Sequence, residues 1–147
     1  FEVPNGENIV VPIGKSKIVR TGSDITITAF SIMVAKALEA AELLSSEGIN
    51  IEVIDLRTIR PLDVETIINS VKKTNKLITV EEGWPTSGIG AEIAATTIKY
   101  AFDYLDAPIE RVTGIDIPLP YAENLEVAAL PQVSDIAQAV RNVCNEH

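Results

Sequence analysis

Histidine, cysteine, methionine and tryptophan each occur once in this chain of 147 residues, and aromatic residues make up only 5% of it. The single histidine is His147, the last residue, so it is read as a frayed end and not as a base. Without an internal histidine no Ser/His/Asp set can form. The single cysteine, Cys144, excludes an intrachain disulfide, which is compatible with a reducing compartment. A nucleophilic thiol needs a nearby base or a helix N-terminus to lower its pKa. Cys144 has neither in sequence and is read as a plain thiol. No His/Cys grouping has metal-ligand spacing. No apolar run approaches the roughly 20 residues of a membrane-spanning helix. Positive charge is scarce: 12 Lys and Arg stand against 21 Asp and Glu, for a formal net charge of −9. That balance argues against nonspecific binding to nucleic acid or to anionic membrane surfaces, and fits a soluble protein or one whose partner is basic.

What is present is a core-forming composition, 46% hydrophobic and 22% charged, at a length suited to one domain over residues 1–147. Lys17 to Arg20 suits a short edge strand. "ITITAF" (25–30) predicts a strand, and Ser31 stands where it can cap the next helix. Val34, Leu38, Ala41 and Leu44 recur at helical spacing, closed by Gly48. "INIEVIDL" (49–56) predicts a strand. Asp63 is a good N-cap for a helix with the stripe Val64, Ile67, Ile68 and Val71, and Lys72 and Lys73 fall in its favourable last turn. "KLITVEE" (76–82) is a third strand, followed by a helix from about Ser87 to about Tyr104, and "PIERVTG" (108–114) is a further strand. "IDIPLPYAENLEVAALPQ" is a Pro-punctuated connection. A last helix carries Val133, Ile136, Ala137 and Val140 on one face. The alternation predicts an α/β fold: a mostly parallel sheet between two helical layers, with the N-terminal strand antiparallel at an edge.

Two features hold candidate chemistry. Glu81 and Glu82 follow the third strand at its C-terminal end, where ligands bind in open α/β sheets. They could act as acid and base or hold a cation, but the favoured reading is a solvated or interface-facing pair. The loop that follows, "GWPTSGIG", has the outline of a phosphate cradle. Yet Gly83, Gly88 and Gly90 match neither G-x-G-x-x-G nor a P-loop, and no Lys or Arg occurs between Lys76 and Lys99. Close packing is the preferred role for these glycines. Trp84 is placed as an interface anchor or as a lid on the domain's own core.

The motif series carries a resemblance. "VPIGKSKIVRTGSDITI", "EVIDLRTIRPLDVETI", "TNKLITVEEGWPTSGIGAEI", "FDYLDAPIERVTGIDIPLPYAENLE" and "PQVSDI" follow one another from about Val10 to Val143. Together they resemble the C-terminal domain of pyruvate dehydrogenase beta subunits, in the transketolase C-terminal-domain family. The resemblance implies a three-layer α/β/α sandwich around a five-stranded mixed sheet with one antiparallel edge strand. It also implies an α2β2 enzyme that decarboxylates pyruvate on thiamine diphosphate with magnesium and acetylates the lipoyl group of the acetyltransferase. The cofactor site and catalytic glutamate of the family lie in an N-terminal domain. The abrupt start "FEVPNGENIV" is read as a fragment without that domain. No catalytic, cofactor-binding or metal-binding residue is therefore expected here, and the isolated chain is expected to be inactive.

The resemblance assigns assembly to this domain, in contact with the alpha subunit, a second beta subunit and the subunit-binding domain of dihydrolipoyl acetyltransferase. The residues implied are Arg60 and Asp63 of "RPLD", Glu81, Glu82, Trp84, Gly88 and Gly90 of the loop, and Asp106 of "LDAP". Asp106 matches a family position that pairs with an arginine of the subunit-binding domain. Its plain alternative is a turn before Ala107-Pro108. The tail "NVCNEH" departs from the family pattern. Bacterial cytoplasm and mitochondrial matrix both fit. Other readings are a branched-chain 2-oxo acid dehydrogenase, another thiamine enzyme with this domain, and a stand-alone ligand-binding module. "RVTGIDIPLPYAENLE" looks more like the pyruvate enzymes.

Overall fold

The computed structural model describes residues 10–145. Five short strands make one sheet: β1 (Lys17–Arg20), β2 (Ile25–Ala29), β3 (Ile51–Asp55), β4 (Leu77–Val80) and β5 (Glu110–Val112). Their order across the sheet is β1-β3-β2-β4-β5. β1 runs antiparallel to β3, and every other pairing is parallel. The helices are α1 (Ile32–Ser45), α2 (Val64–Thr74), α3 (Ile89–Ala101), α4 (Glu123–Ala129) and α5 (Val133–Asn145), with a single 3₁₀ turn at Phe102–Tyr104. The mixed sheet with one antiparallel edge strand is the expected architecture.

Alternation along each strand sorts its side chains to two unlike faces. Ile25, Ile27, Ala29, Ile51, Val53, Ile78 and Val80 turn toward α1 and α5 and build an apolar core with Met33, Ala37, Ala41, Ile136 and Val140. The other face meets α2 and α3. There Ile54, Leu56 and Leu77 pack on Ile67, Val71 and Ile93. Buried polar side chains interrupt this second core. Thr26 Oγ1 lies 2.7 Å from Thr74 Oγ1, and Glu52, fully buried, pairs with the Lys73 ammonium. A fully buried isoleucine contributes about 1.5–3 kcal/mol, so the apolar face is the main source of cohesion.

Local signals explain most element ends. Asp63 caps α2: its carboxylate accepts the Thr66 N–H at 3.3 Å and the Thr66 hydroxyl at 2.9 Å. Asn75 closes the same helix in the left-handed region, its N–H bonded to the Val71 carbonyl. Elsewhere the expectations need correction. Ser31 precedes α1 but makes no side-chain cap, and its backbone is strained at φ 56°, ψ −141°. Gly48 does close α1 as expected: after the helix ends at Ser45, Gly48 turns left-handed at φ 84°, its N–H bonds the Ser45 carbonyl at 3.1 Å and the Ile49 N–H bonds the Leu44 carbonyl at 3.2 Å. The buried face of α1 is centred on Met33, Ala37, Ala40, Ala41 and Leu44, with Val34 and Leu38 only at its margin. α3 is shorter than expected and gives way to the 3₁₀ turn. The connection after β5 holds a seven-residue helix, α4, that was not anticipated.

Candidate functional site

The strand β4 continues its pairing by one residue, because the Glu81 N–H donates to the Val112 carbonyl at 3.0 Å. Alternation from Thr79 then turns the Glu81 side chain toward α3. There it meets the N-terminus of that helix. The carboxylate accepts the Ile89 N–H at 2.9 Å and the Gly90 N–H at 3.0 Å. These are free amide groups at the positive end of the helix dipole. Arg111 completes the arrangement. Parallel pairing sets it opposite Thr79, and its Nη2 donates to Glu81 Oε1 at 3.3 Å and to the Pro85 carbonyl at 2.7 Å. Glu81 is 3% exposed.

The glycine loop is therefore an anion cradle, and the anion is the chain's own carboxylate. The glycines make the approach possible. A Cβ on Gly88 would lie 2.6 Å from both Glu81 carboxylate oxygens. One on Gly90 would lie 2.5 Å from Thr79 Oγ1 and 2.7 Å from Glu81 Oε1. All of these distances are far inside van der Waals contact. The preference for close packing over phosphate agrees with this geometry. The reading of Glu81 and Glu82 as a solvated or interface-facing pair does not hold for Glu81, which points inward, while Glu82 is half-buried. Arg111 escaped the sequence reading because it stands 30 residues from Glu81; only the β4–β5 register brings it there.

The other candidate residues lie in three separate places. Trp84 sits on the same loop, about half exposed, with its indole N–H donating to the Ile117 carbonyl at 3.0 Å. Arg60 and Asp63 follow β3, two strands away; Arg60 is exposed and Asp63 is buried. Asp63 also accepts the Ser16 N–H at 2.9 Å, tying the segment before β1 to this edge. Burial pushes the Asp63 carboxyl up. The Ser16 N–H, the Thr66 hydroxyl and N–H, and Lys15 together outweigh that and hold it below its ordinary value. Asp106 lies at the opposite end of the sheet. It is exposed, its N–H bonds the Asn75 carbonyl at 2.9 Å, and it borders a polar cavity of about 500 Å³ with Asp24, Lys73, Lys76 and Cys144. Burial chiefly raises the Cys144 thiol above its ordinary pKa, which disfavours the thiolate. His147 and the first nine residues lie outside the described residues.

The edge of the sheet does not fit thiamine diphosphate. The amides that would meet a diphosphate already serve Glu81, and the one nearby guanidinium is committed to Glu81 and Pro85. Both Glu81 oxygens are likewise engaged and turned from solvent. Among the described residues no group of three or more His, Cys, Asp or Glu is arranged to hold a metal ion, and no helix is long and apolar enough to cross a membrane.

Comparison with known proteins fits this geometry into a family. The family described as transketolase, C-terminal domain, matches residues 14–136. The chain belongs to the transketolase C-terminal domain family. Among curated relatives, the mitochondrial pyruvate dehydrogenase E1 component subunit beta of Dictyostelium discoideum is 62% identical over 134 residues, 91% of this chain and 38% of that protein. The pyruvate dehydrogenase E1 component subunit beta of Rickettsia conorii is 60% identical over 144 residues, 98% of this chain and 44% of that protein. The chain thus spans about two-fifths of the length of these relatives, which include bacterial and mitochondrial proteins. Among solved structures, a split gene transketolase, titled an inactive beta4 tetramer, superposes with a TM-score of 0.81 at 30% identity, covering 93% of this chain and 43% of that one. The transketolase C-terminal domain fold is therefore shared, and the chain is similar to pyruvate dehydrogenase E1 beta subunits over most of its length.

Proposed function

We propose that this chain is the C-terminal domain of a pyruvate dehydrogenase E1 beta subunit and that its task is assembly. The observation that carries the reading is the 62% identity to a beta subunit over 91% of the chain, about twice the identity to the split gene transketolase. On this reading thiamine diphosphate and magnesium are held outside the domain, in agreement with a sheet edge whose amides are already engaged by Glu81. The parent enzyme decarboxylates pyruvate and passes the acetyl group to a lipoyl carrier. It works in a bacterial cytoplasm or a mitochondrial matrix.

The assembly partners are the alpha subunit, a second beta subunit and the subunit-binding domain of dihydrolipoyl acetyltransferase. Arg60, Glu82 and Trp84 offer exposed or half-buried contact groups at one end of the sheet. Glu81, Asp63, Gly88 and Gly90 act behind them by holding the loops in shape. Asp106, exposed at the other end, meets an arginine of the subunit-binding domain. The net charge of −9 suits a basic partner.

The test is calorimetric titration of the heterotetramer with the subunit-binding domain, comparing wild type with Asp106→Ala. A desolvated arginine–carboxylate contact predicts affinity weakened by roughly 30-fold or more. Unchanged affinity would remove Asp106 from the docking site. A beta subunit carrying this chain that fails to assemble with alpha would refute the assembly role.

A further inference from the structure

Among the described residues Glu52 is the most deeply buried carboxylate, at 0% exposure, and one of its oxygens has no partner. Its Oε2 takes the Lys73 ammonium and, at 3.3 Å, the Gly22 N–H. Its Oε1 is enclosed and accepts nothing. Carboxylates at such depth ordinarily have both oxygens engaged, as Asp63 and Glu81 do here. A slip in the sheet is the cause. Lys17 opposes Asp55 and Ile18 opposes Ile54, and continuing that register would set Arg20 opposite Glu52. A bulge between Ile18 and Arg20 sets Arg20 opposite Val53 instead. Arg20 then bonds Glu42 of α1 at 3.1 Å, on the other face of the sheet. A lysine from α2 stands in for it at Glu52. An ammonium is a point charge that meets one carboxylate oxygen, whereas a planar guanidinium meets both.

Glu52 lies at the base of a cavity of about 280 Å³ whose walls are Ile18, Thr66, Asn69, Ser70 and Lys73. That volume equals about nine waters at roughly 30 Å³ each, room for a guanidinium and part of its aliphatic stem. The walls suit such a group. Thr66 gives its hydroxyl proton to Asp63 at 2.9 Å, so its lone pairs remain to accept. Asn69 and Ser70 each offer a further oxygen to the outer N–H groups. Ile18 presents a partly exposed apolar surface to the stem. The Lys73 side chain is about half exposed, so its ammonium can move out to water while its methylenes stay packed. With one carboxylate and no histidine or cysteine, the cavity is ill suited to a divalent metal.

We infer that this cavity is a guanidinium site, in which an arginine-type ligand engages both oxygens of Glu52 and displaces the Lys73 ammonium to solvent. It lies apart from the Glu81 cradle and stands independently of the beta-subunit reading. The test is calorimetric titration of the full polypeptide carrying this chain with acetyl-arginine amide, against acetyl-lysine amide of equal charge. Bidentate pairing predicts binding of the arginine probe at least roughly tenfold tighter than that of the lysine probe. Equal affinities, or no binding of either, would overturn the inference; equality would report only the attraction of cations to a chain of net charge −9. The double variant Glu52→Gln/Lys73→Met removes both charges together and strands neither. It is expected to lose the preference for arginine, and a preference that survives there would locate the binding elsewhere and refute the site. Lys73→Met alone leaves Glu52 without its cation, and the arginine probe should raise the melting temperature of this variant more than that of the parent. An equal rise would count against the site; if the single variant does not fold, the parent and the double variant decide. Free arginine separates the two sources of the group: tighter binding than the amide assigns the cavity to a small guanidino compound, weaker binding to an arginine within a partner protein.

Discussion

Replacing Glu81 with alanine takes the acceptor from two helix N-terminal amides and the partner from one guanidinium. Each amide left without a partner in a buried setting costs about 1–3 kcal/mol. Arg111 adds little, about 0–1 kcal/mol, because it is 26% exposed, keeps its bond to the Pro85 carbonyl and can turn to solvent. Some water will reach Ile89, which is only partly buried. The expected loss is about 3–5 kcal/mol, which lowers the melting temperature of a domain this size by about 10 °C or more. Glu81→Gln keeps one carbonyl acceptor but turns an amide N–H₂ toward donors, and is expected to lose about half as much. Urea unfolding, followed through the fluorescence of Trp84 on the same loop, measures both. An alanine variant within about 0.5 kcal/mol of the parent would behave as a surface substitution does. It would refute the claim that the carboxylate organises this helix end.

Three further expectations follow from the same geometry. Gly90→Ala drives a methyl into Thr79 and Glu81, and should cost about 1–3 kcal/mol as overpacking does; a melting temperature equal to the parent's would contradict the close approach. Asp63→Asn should cost about 1 kcal/mol near neutral pH through the weakened cap and the Ser16 tie. Because the folded carboxyl is held below its ordinary value, its contribution is present above the unfolded pKa and fades as pH falls through the folded one. Denaturant midpoints measured against pH should therefore converge for parent and variant in acid, below the usual aspartate range, and a gap that persists there would refute this sign. Ser31→Gly should stabilise the protein by about 1 kcal/mol, since φ 56°, ψ −141° is close to a region that glycine alone enters freely, and the serine makes no cap in return; a destabilised variant in thermal unfolding would show that the hydroxyl has a partner in solution.

Helix and strand order was legible in the sequence because hydrophobic spacing is a local property. The runs around Ile25 and Ile51 alternate with a period of two, Leu77–Val80 is a short β-rich apolar run, and Ile67, Ile68 and Val71 recur with a period near 3.6. Asp63 as a cap was legible for the same reason, its partner Thr66 being three residues on. α4 was not, because it is short, bracketed by Pro120 and Pro131, and buries only Ala129, so it has no apolar stripe to reveal it. Ser31 failed as a cap although its residue type is right, because the chain leaves β2 in a geometry that no local rule demands.

The sequence by itself determined that this is an α/β domain with a proper core, without internal catalytic histidine or disulfide, and bearing motifs of a particular family. The glycine loop was visible in it, as was the absence of a basic residue nearby. The tertiary structure decided what that loop holds. Strand order β1-β3-β2-β4-β5 sets Arg111 beside Thr79, and strand alternation turns Glu81, not Glu82, toward the helix. It also set Asp106 at the end of the sheet opposite Trp84. These are contacts between residues far apart in the chain, created by pairing register and layer packing, and local spacing does not encode them.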